Sequence, residues 1–470
     1  MNKKRLGRHL TPPLARPQYV SVPEGFITAL AWHYFDTQEV AGQQLGPGIG
    51  LRYRGDPLKK KVTYVITEPD VSELSDFGED LLLSGITVET QPSDLASAVS
   101  NSLLGIRAPK GTFQPISPLT PAMALMQNMI GIQGAAHPPD LSGILETMFS
   151  FGMPDAEDQR TASKLWADAS ETRLGLDDLL KALSTSLEKN RFSKGIQVKD
   201  RGPVNREFAG IYGSGPFNWF VSAWSNLTSP AWTAALPARV WSDWACTILR
   251  MVFGMGYLWE AAWYESLARR ILRTQAVTWD DIESNLEDLL PWQSSSSGVQ
   301  SRDVASRVKW RIHRSYRIRE TISKWIGDNG MHDQEVDQVL SAMGQDDELR
   351  NNLRADLSSN GTPANNALEA VRYALMVRES RGQFADYYGL LKSRGTRYLV
   401  PEPGIEWLAV VTSLASPTPG ASIYLADVTM SLEMLGTRPD RQDLVMMLEE
   451  AGLARGSADA DQGVSVATAY

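Results

Sequence analysis

Cations cluster in one stretch of an otherwise acidic chain. Residues 301–325 read SRDVASRVKWRIHRSYRIRETISKW. Eight lysines and arginines and two acids fall within 302–324, a local charge of +6 in a protein of formal charge −9. On a helical wheel Val304, Val308, Ile312 and Tyr316 share one side. Arg307, Arg311, Arg314 and Arg317 gather on another, with Trp310 beside them. Such a face can hold phosphates while the ring stacks on a base or on arginine. These five residues are the candidate contact for DNA or RNA. The competing reading is a solvated helix whose arginines pair with acids from neighbouring regions. Arg319 falls toward the apolar side, so a bend or stop is expected near it.

Other chemistry is sparse. His9, His33, His137, His313 and His332 are scattered, without the spacing of a zinc site. The glycine-rich GPGIG at 46–50 lacks the Lys-Ser/Thr of a phosphate loop and reads as a strand-entry turn. Glu68, Asp70 and Glu89 lie near expected strands, as in metal-dependent nucleases, but Glu89 is followed by Thr-Gln rather than a lysine. Ser214 in GSGP fails the nucleophile-elbow frame. Cys246 sits in an apolar stretch and reads as an inert buried thiol. No catalytic set, metal site or cofactor is expected.

The elements that would carry the basic face follow from composition and pattern. At 470 residues two to four domains are expected. One cysteine fits a reducing compartment. The start, MNKKRLGRHLTPPLARP, is basic but has no apolar run after it, so it reads as a flexible arm rather than a secretory signal. Cytoplasm is the expected location.

Residues 1–112 carry most of the strand signal and read as a small α+β domain. A hairpin is expected from Gly50–Arg54 and Val62–Thr67 around a Gly55-Asp56-Pro57 turn, with a helix in DVSELSDFGEDLLL and a further strand at 84–90. Residues 113–292 read as a tryptophan-rich helical domain. Thr120 is a candidate N-cap before Pro121, and Met123, Met126 and Met129 form a stripe at helical spacing.

From Phe217 to Trp244 the chain holds five tryptophans, and Ala209–Ala238 contains no charge. A membrane span needs roughly 18 or more consecutive apolar residues. Pro216, Pro230, Pro237 and polar breaks interrupt every run, so no span is expected. Apolar pairs every four residues after Pro237 instead predict a core helix, which Gly254 and Gly256 either loosen or open to close packing. Residues 293–301, QSSSSGVQS, read as a linker. Residues 302–395 follow as a helical domain, with helices at 302–326, 332–343, 346–357 and 363–379.

The last segment, 396–470, reads as a separate unit of helix, turn, helix, turn, helix and hairpin. Leu425, Val428, Leu432 and Leu435 would face Leu444, Met447 and Leu448. This order resembles the winged-helix family over about the last 70 residues. The resemblance implies that the third helix enters a DNA major groove or docks a protein. Arg438, Arg441 and Arg455 are then the contact candidates. Asp440, Asp443, Glu449 and Glu450 oppose them, and Asp459 and Asp461 would lie at the wing tip, which favours docking.

The expected class is therefore mainly α and multidomain: an α+β N-terminal domain, a helical middle and a winged-helix-like end. The expected role is a non-enzymatic, nucleic-acid-associated scaffold or adaptor subunit, as in a multi-gene bacterial system such as genome (antiviral) defence. Its protein partners would meet the winged-helix-like domain and the tryptophan-rich region. The alternatives are a transcriptional regulator with a helical sensor body and a nuclease-like enzyme using Glu68, Asp70 and Glu89.

Overall fold

Prolines and a serine start the tryptophan-rich helices. Pro216 opens the helix Pro216–Leu227 at its first turn, where a missing N–H costs nothing. Ser229 caps Pro230–Ala235 by accepting from Trp232 N. After Pro237 the chain runs uninterrupted through a 36-residue helix, Ala238–Arg273, about 54 Å long at the usual rise. The computed structural model describes residues 4–17, 20, 22–36, 52–53, 66–67, 71–83, 86, 89–102, 117–126, 141–191, 195–199, 201–273, 277–283, 286, 289–292, 303–359, 365–377, 385–395, 398–455 and 464–470. They are mostly helical, with eighteen α-helices and nine short strands.

The central helix is buried along nearly all of its length, from Trp241 to Ile271. Helices Glu24–Tyr34, Leu141–Gly152, Pro216–Leu227, Ala305–Asp328, Asp347–Ser358 and Asn365–Leu375 pack around it. Gly254 and Gly256 do not loosen it. A Cβ on Gly254 would lie 2.5 Å from Leu375 Cγ, and one on Gly256 2.9 Å from Met148 Cε. The glycines therefore let two neighbouring helices approach.

All nine tryptophans between 219 and 292 are buried. Several indoles fasten distant segments. Trp219 Nε1 donates to Ser431 Oγ at 3.1 Å, Trp232 Nε1 to the Ser416 carbonyl at 3.1 Å, and Trp263 Nε1 to the Leu10 carbonyl at 3.0 Å. The run is core, and three of its indoles are satisfied by segments near the two ends of the chain. Among the described residues no helix is long and apolar enough to cross a membrane.

One cluster of buried apolar side chains extends from Leu10 to Val466. The C-terminal segment does not stand apart, because Trp407 packs at 0% exposure with its Nε1 2.8 Å from Met251 Sδ on the central helix. The start of the chain is not a loose arm either. Leu10 and Leu14 are fully buried, and residues 5–8 hydrogen-bond along 332–336. The linker 293–301 lies outside the described residues.

Strands are short. Arg52–Tyr53 pairs antiparallel with Ile66–Thr67, in register Arg52↔Thr67, and the Gly55-Asp56-Pro57 turn lies outside the described residues. The expected strand at 84–90 is not seen at its described residues Ile86, Glu89 and Thr90. A hairpin that was not expected joins Leu391–Arg394 to Tyr398–Pro401 and straddles the anticipated boundary at 396. Phe35–Asp36 pairs with Gln197–Val198, tying the N-terminal region to the helical middle. Thr120 Oγ1 accepts from Met123 N at 3.2 Å, as its cap position requires. Met123 is buried core, and the side chain of Met126 and all of Met129 lie outside the described residues.

The C-terminal order is helix Ile405–Ser413, strand Ser422–Tyr424, helices Leu425–Leu435 and Arg441–Glu450, then strands Ala454–Arg455 and Ser465–Ala467. The last strand pairs antiparallel with both others and lies between them.

Candidate nucleic-acid interface

The helix Ala305–Asp328 buries Val308, Ile312, Ile318, Ile322 and Ile326 against the body. Its apolar spacing fixes which cations face outward. Arg307 and Lys309 are exposed, and Trp310 and Arg314 are half-buried. Lys309 Nζ lies 5.6 Å and Arg314 Cζ 6.0 Å from the Trp310 ring centroid. Cations this close to an indole gain from its quadrupole. Among the described residues neither Arg307, Lys309 nor Arg314 forms an ion pair. Lys309 and Arg314 are thus brought together on Trp310 as one cationic and aromatic surface, and Arg307, one turn before Trp310, is exposed.

Arg311 is not part of it. Its side chain is 13% exposed and turns inward, with Nε 3.2 Å from Glu265 Oε2 and Nη1 donating to the Leu289 carbonyl at 3.1 Å. Glu265 also accepts from Arg269 at 2.7 Å. Burial pushes the Glu265 carboxyl up, but the Arg269 hydrogen bonds and the Arg311 charge more than offset this and hold it below the usual range. The physical reason for the correction is a wheel position at the edge of the packed face, where an acid on the neighbouring helix captures the guanidinium.

Arg317 keeps half of its side chain exposed. It is anchored by Asp356 Oδ1 at 3.2 Å and Ser359 Oγ at 2.8 Å, so it borders the surface instead of leading it.

Arg319 points into the core, yet the helix does not stop there and runs on to Asp328. Arg319 Nη1 lies 2.9 Å from Glu260 Oε1 and donates to the Leu14 carbonyl at 2.7 Å. Burial raises the Glu260 carboxyl to about 7, with Arg319 pulling the other way. A second buried pair lies nearer the start of the central helix. Arg250 and Asp386 are 1% and 0% exposed and make contacts of 2.9–3.1 Å, while Arg250 also donates to the carbonyls of Ala374 and Met376.

The C-terminal candidates fall elsewhere. Arg438 is exposed and sits 3.4 Å from Glu433. Arg441 is exposed at the start of its helix, beside the capping Asp440. Arg455 lies in the strand Ala454–Arg455. Met446, Glu449 and Glu450 are also exposed on the third helix, and residues 396–470 hold ten carboxylates against four arginines, a net charge of −6.

Glu68 and Asp70 lie outside the described residues, whereas Glu89 is exposed. No group of three or more His, Cys, Asp or Glu among the described residues is arranged to hold a metal ion. Lys309 is the contributor that the wheel reading left off the face. The signal was the Lys-Trp dipeptide itself, with Arg314 one turn further on.

No protein-family model matches the sequence, and no curated protein matches it.

Proposed function

We propose that this chain is a nucleic-acid-associated scaffold subunit whose basic helix contacts the backbone of DNA or RNA. The observation that carries the reading is the pair of cations, Lys309 and Arg314, set against Trp310, with Arg307 exposed one turn earlier. Cations supply salt-sensitive attraction to phosphates, and an accessible indole adds a stacking platform that tolerates any base. The surface rides on a helix fixed to the central core, so it is presented without prior ordering.

The C-terminal region acts as a winged-helix-like docking module for a protein partner. Its order of elements and its sheet, with the last strand in the middle, support the winged-helix likeness. A DNA-reading regulator would use the same module. The charge of −6 over 396–470 and the exposed Glu449 and Glu450 on the third helix oppose phosphates there and favour docking. Equilibrium binding of a labelled oligonucleotide to wild type and to an Arg307→Glu/Lys309→Glu/Arg314→Glu variant tests the central claim.

A further inference from the structure

Residues 5–16 cross the body as a strap without helix or strand, apart from one 3₁₀ turn at Gly7–Leu10 and a tight turn in which Leu14 N donates to the Pro12 carbonyl at 2.9 Å. Pro12 and Pro13 fix the backbone beyond that turn. Side chains of the body read its main chain. Tyr212 Oη donates to the His9 carbonyl at 3.1 Å, Trp263 Nε1 to Leu10 at 3.0 Å, Arg319 Nη1 to Leu14 at 2.7 Å and Tyr257 Oη to Ala15 at 2.7 Å. Nearer the start, Gly7 N donates to the Gln334 carbonyl at 2.9 Å, Arg8 N to His332 at 3.0 Å, and Val336 N to the Arg5 carbonyl at 3.0 Å.

Two side chains of the strap, Leu10 and Leu14, are fully buried. Its cations stay at the rim, where Lys4 meets Glu335 at 3.1 Å, Arg5 meets Asp280 at 3.5 Å and Arg8 meets Asp333 at 3.1 Å. Main-chain hydrogen bonds with pockets for a few side chains are the means by which proteins bind extended peptides. Four donors aimed at carbonyls would hold many sequences. The two leucine sites and the acidic rim select one with leucines four apart and flanking cations.

We propose that this groove is a peptide-recognition site occupied in cis, and that its ligand in trans is the same strap from a second copy of the chain. Exchange between copies would reuse every contact already made and would need no new interface. In one chain the strap is held by tethering, which supplies an effective concentration in the millimolar range. Removing the tether exposes the site to competition.

A protease site inserted between Pro17 and Val20 of the full chain allows that test. After cutting, a fluorescent peptide with the sequence of residues 4–17 is titrated in. Circular dichroism of the cut protein should be unchanged, and it should take up the peptide saturably, one per chain. Uncut protein should bind at least ten-fold more weakly. A peptide carrying Leu14→Asp should lose at least ten-fold, and Trp263→Phe in the protein, which keeps a ring but removes the Leu10 donor, should weaken uptake several-fold.

Refolding two differently tagged full chains together should give a mixed dimer that cutting resolves. A cut protein that stays folded but takes up no peptide overturns the site, and so does one that unfolds when cut. Peptide uptake with monomers alone on refolding overturns exchange between copies.

Discussion

Arg311 Nε lies 3.2 Å from Glu265 Oε2, with both side chains mostly buried, although Arg311 belongs to the most cationic stretch of the sequence. One helix therefore separates its cations by role. Arg311 and Arg319 hold the helix to the core, and among the described residues Arg307, Lys309 and Arg314 form no ion pair.

This separation gives a contrast in stability. Arg311→Glu places a second negative charge against Glu265 and leaves it Arg269 alone as counter-charge, at a cost of about 3 kcal/mol. Arg307→Glu lies on the solvent side and should stay within about 0.5 kcal/mol of wild type. Urea denaturation of the two variants checks both values, and equal costs would contradict the inward placement.

The Arg250–Asp386 pair is more deeply buried. Asp386→Ala should cost about 3–5 kcal/mol, because it leaves a buried guanidinium without its carboxylate. Replacing both residues with apolar ones should recover only part of that loss. The carbonyls of Ala374 and Met376 would still lack the donors that Arg250 supplies. A double-mutant cycle by chemical denaturation measures the difference.

Glu260 gives a pH dependence of definite sign. Burial raises its carboxyl from 4.5 to about 7, so the native state binds a proton there that the unfolded chain has released. This contribution is fully present below the ordinary glutamate range and is lost as pH rises toward about 7. Between about pH 5 and pH 7 wild type should lose about 2 kcal/mol more stability than Glu260→Gln. Equal slopes would mean that Arg319 keeps Glu260 ionised throughout.

Cys246 is buried at 4% exposure, and desolvation pushes its thiol well above the usual range. It should resist a thiol reagent in native buffer and react at once in denaturant. Labelling of the folded protein at a rate near that of the unfolded chain would show the central helix to be open.

Much of the scaffold was legible in the sequence. Four-residue spacing after Pro237 identified the central helix, whereas Pro216 and Pro230, read only as breaks against a span, open helices of their own. What stayed hidden depends on partners far along the chain. Arg311 could not be turned inward without Glu265, nor Arg319 tolerated on an apolar face without Glu260. The basic start looked mobile because the Trp263, Tyr257 and Tyr212 donors that hold it lie some two hundred residues away. The 391–401 hairpin was missed because each strand is only four residues long, too short for a periodic signal. Of the proposed surface, Arg307, Trp310 and Arg314 are grouped by wheel position alone.

The most direct measurement is fluorescence anisotropy of a labelled single-stranded oligonucleotide titrated with the protein at several salt concentrations. Wild type should bind at low salt and quench Trp310 emission, and Trp310→Phe should abolish the quenching. Arg307→Glu/Lys309→Glu/Arg314→Glu, folded by circular dichroism, should bind at least ten-fold more weakly. Its salt slope should be shallower by about 2, at roughly 0.7 for each phosphate left unneutralised. A folded triple variant that binds as tightly as wild type, with the same salt slope, would contradict the proposed interface.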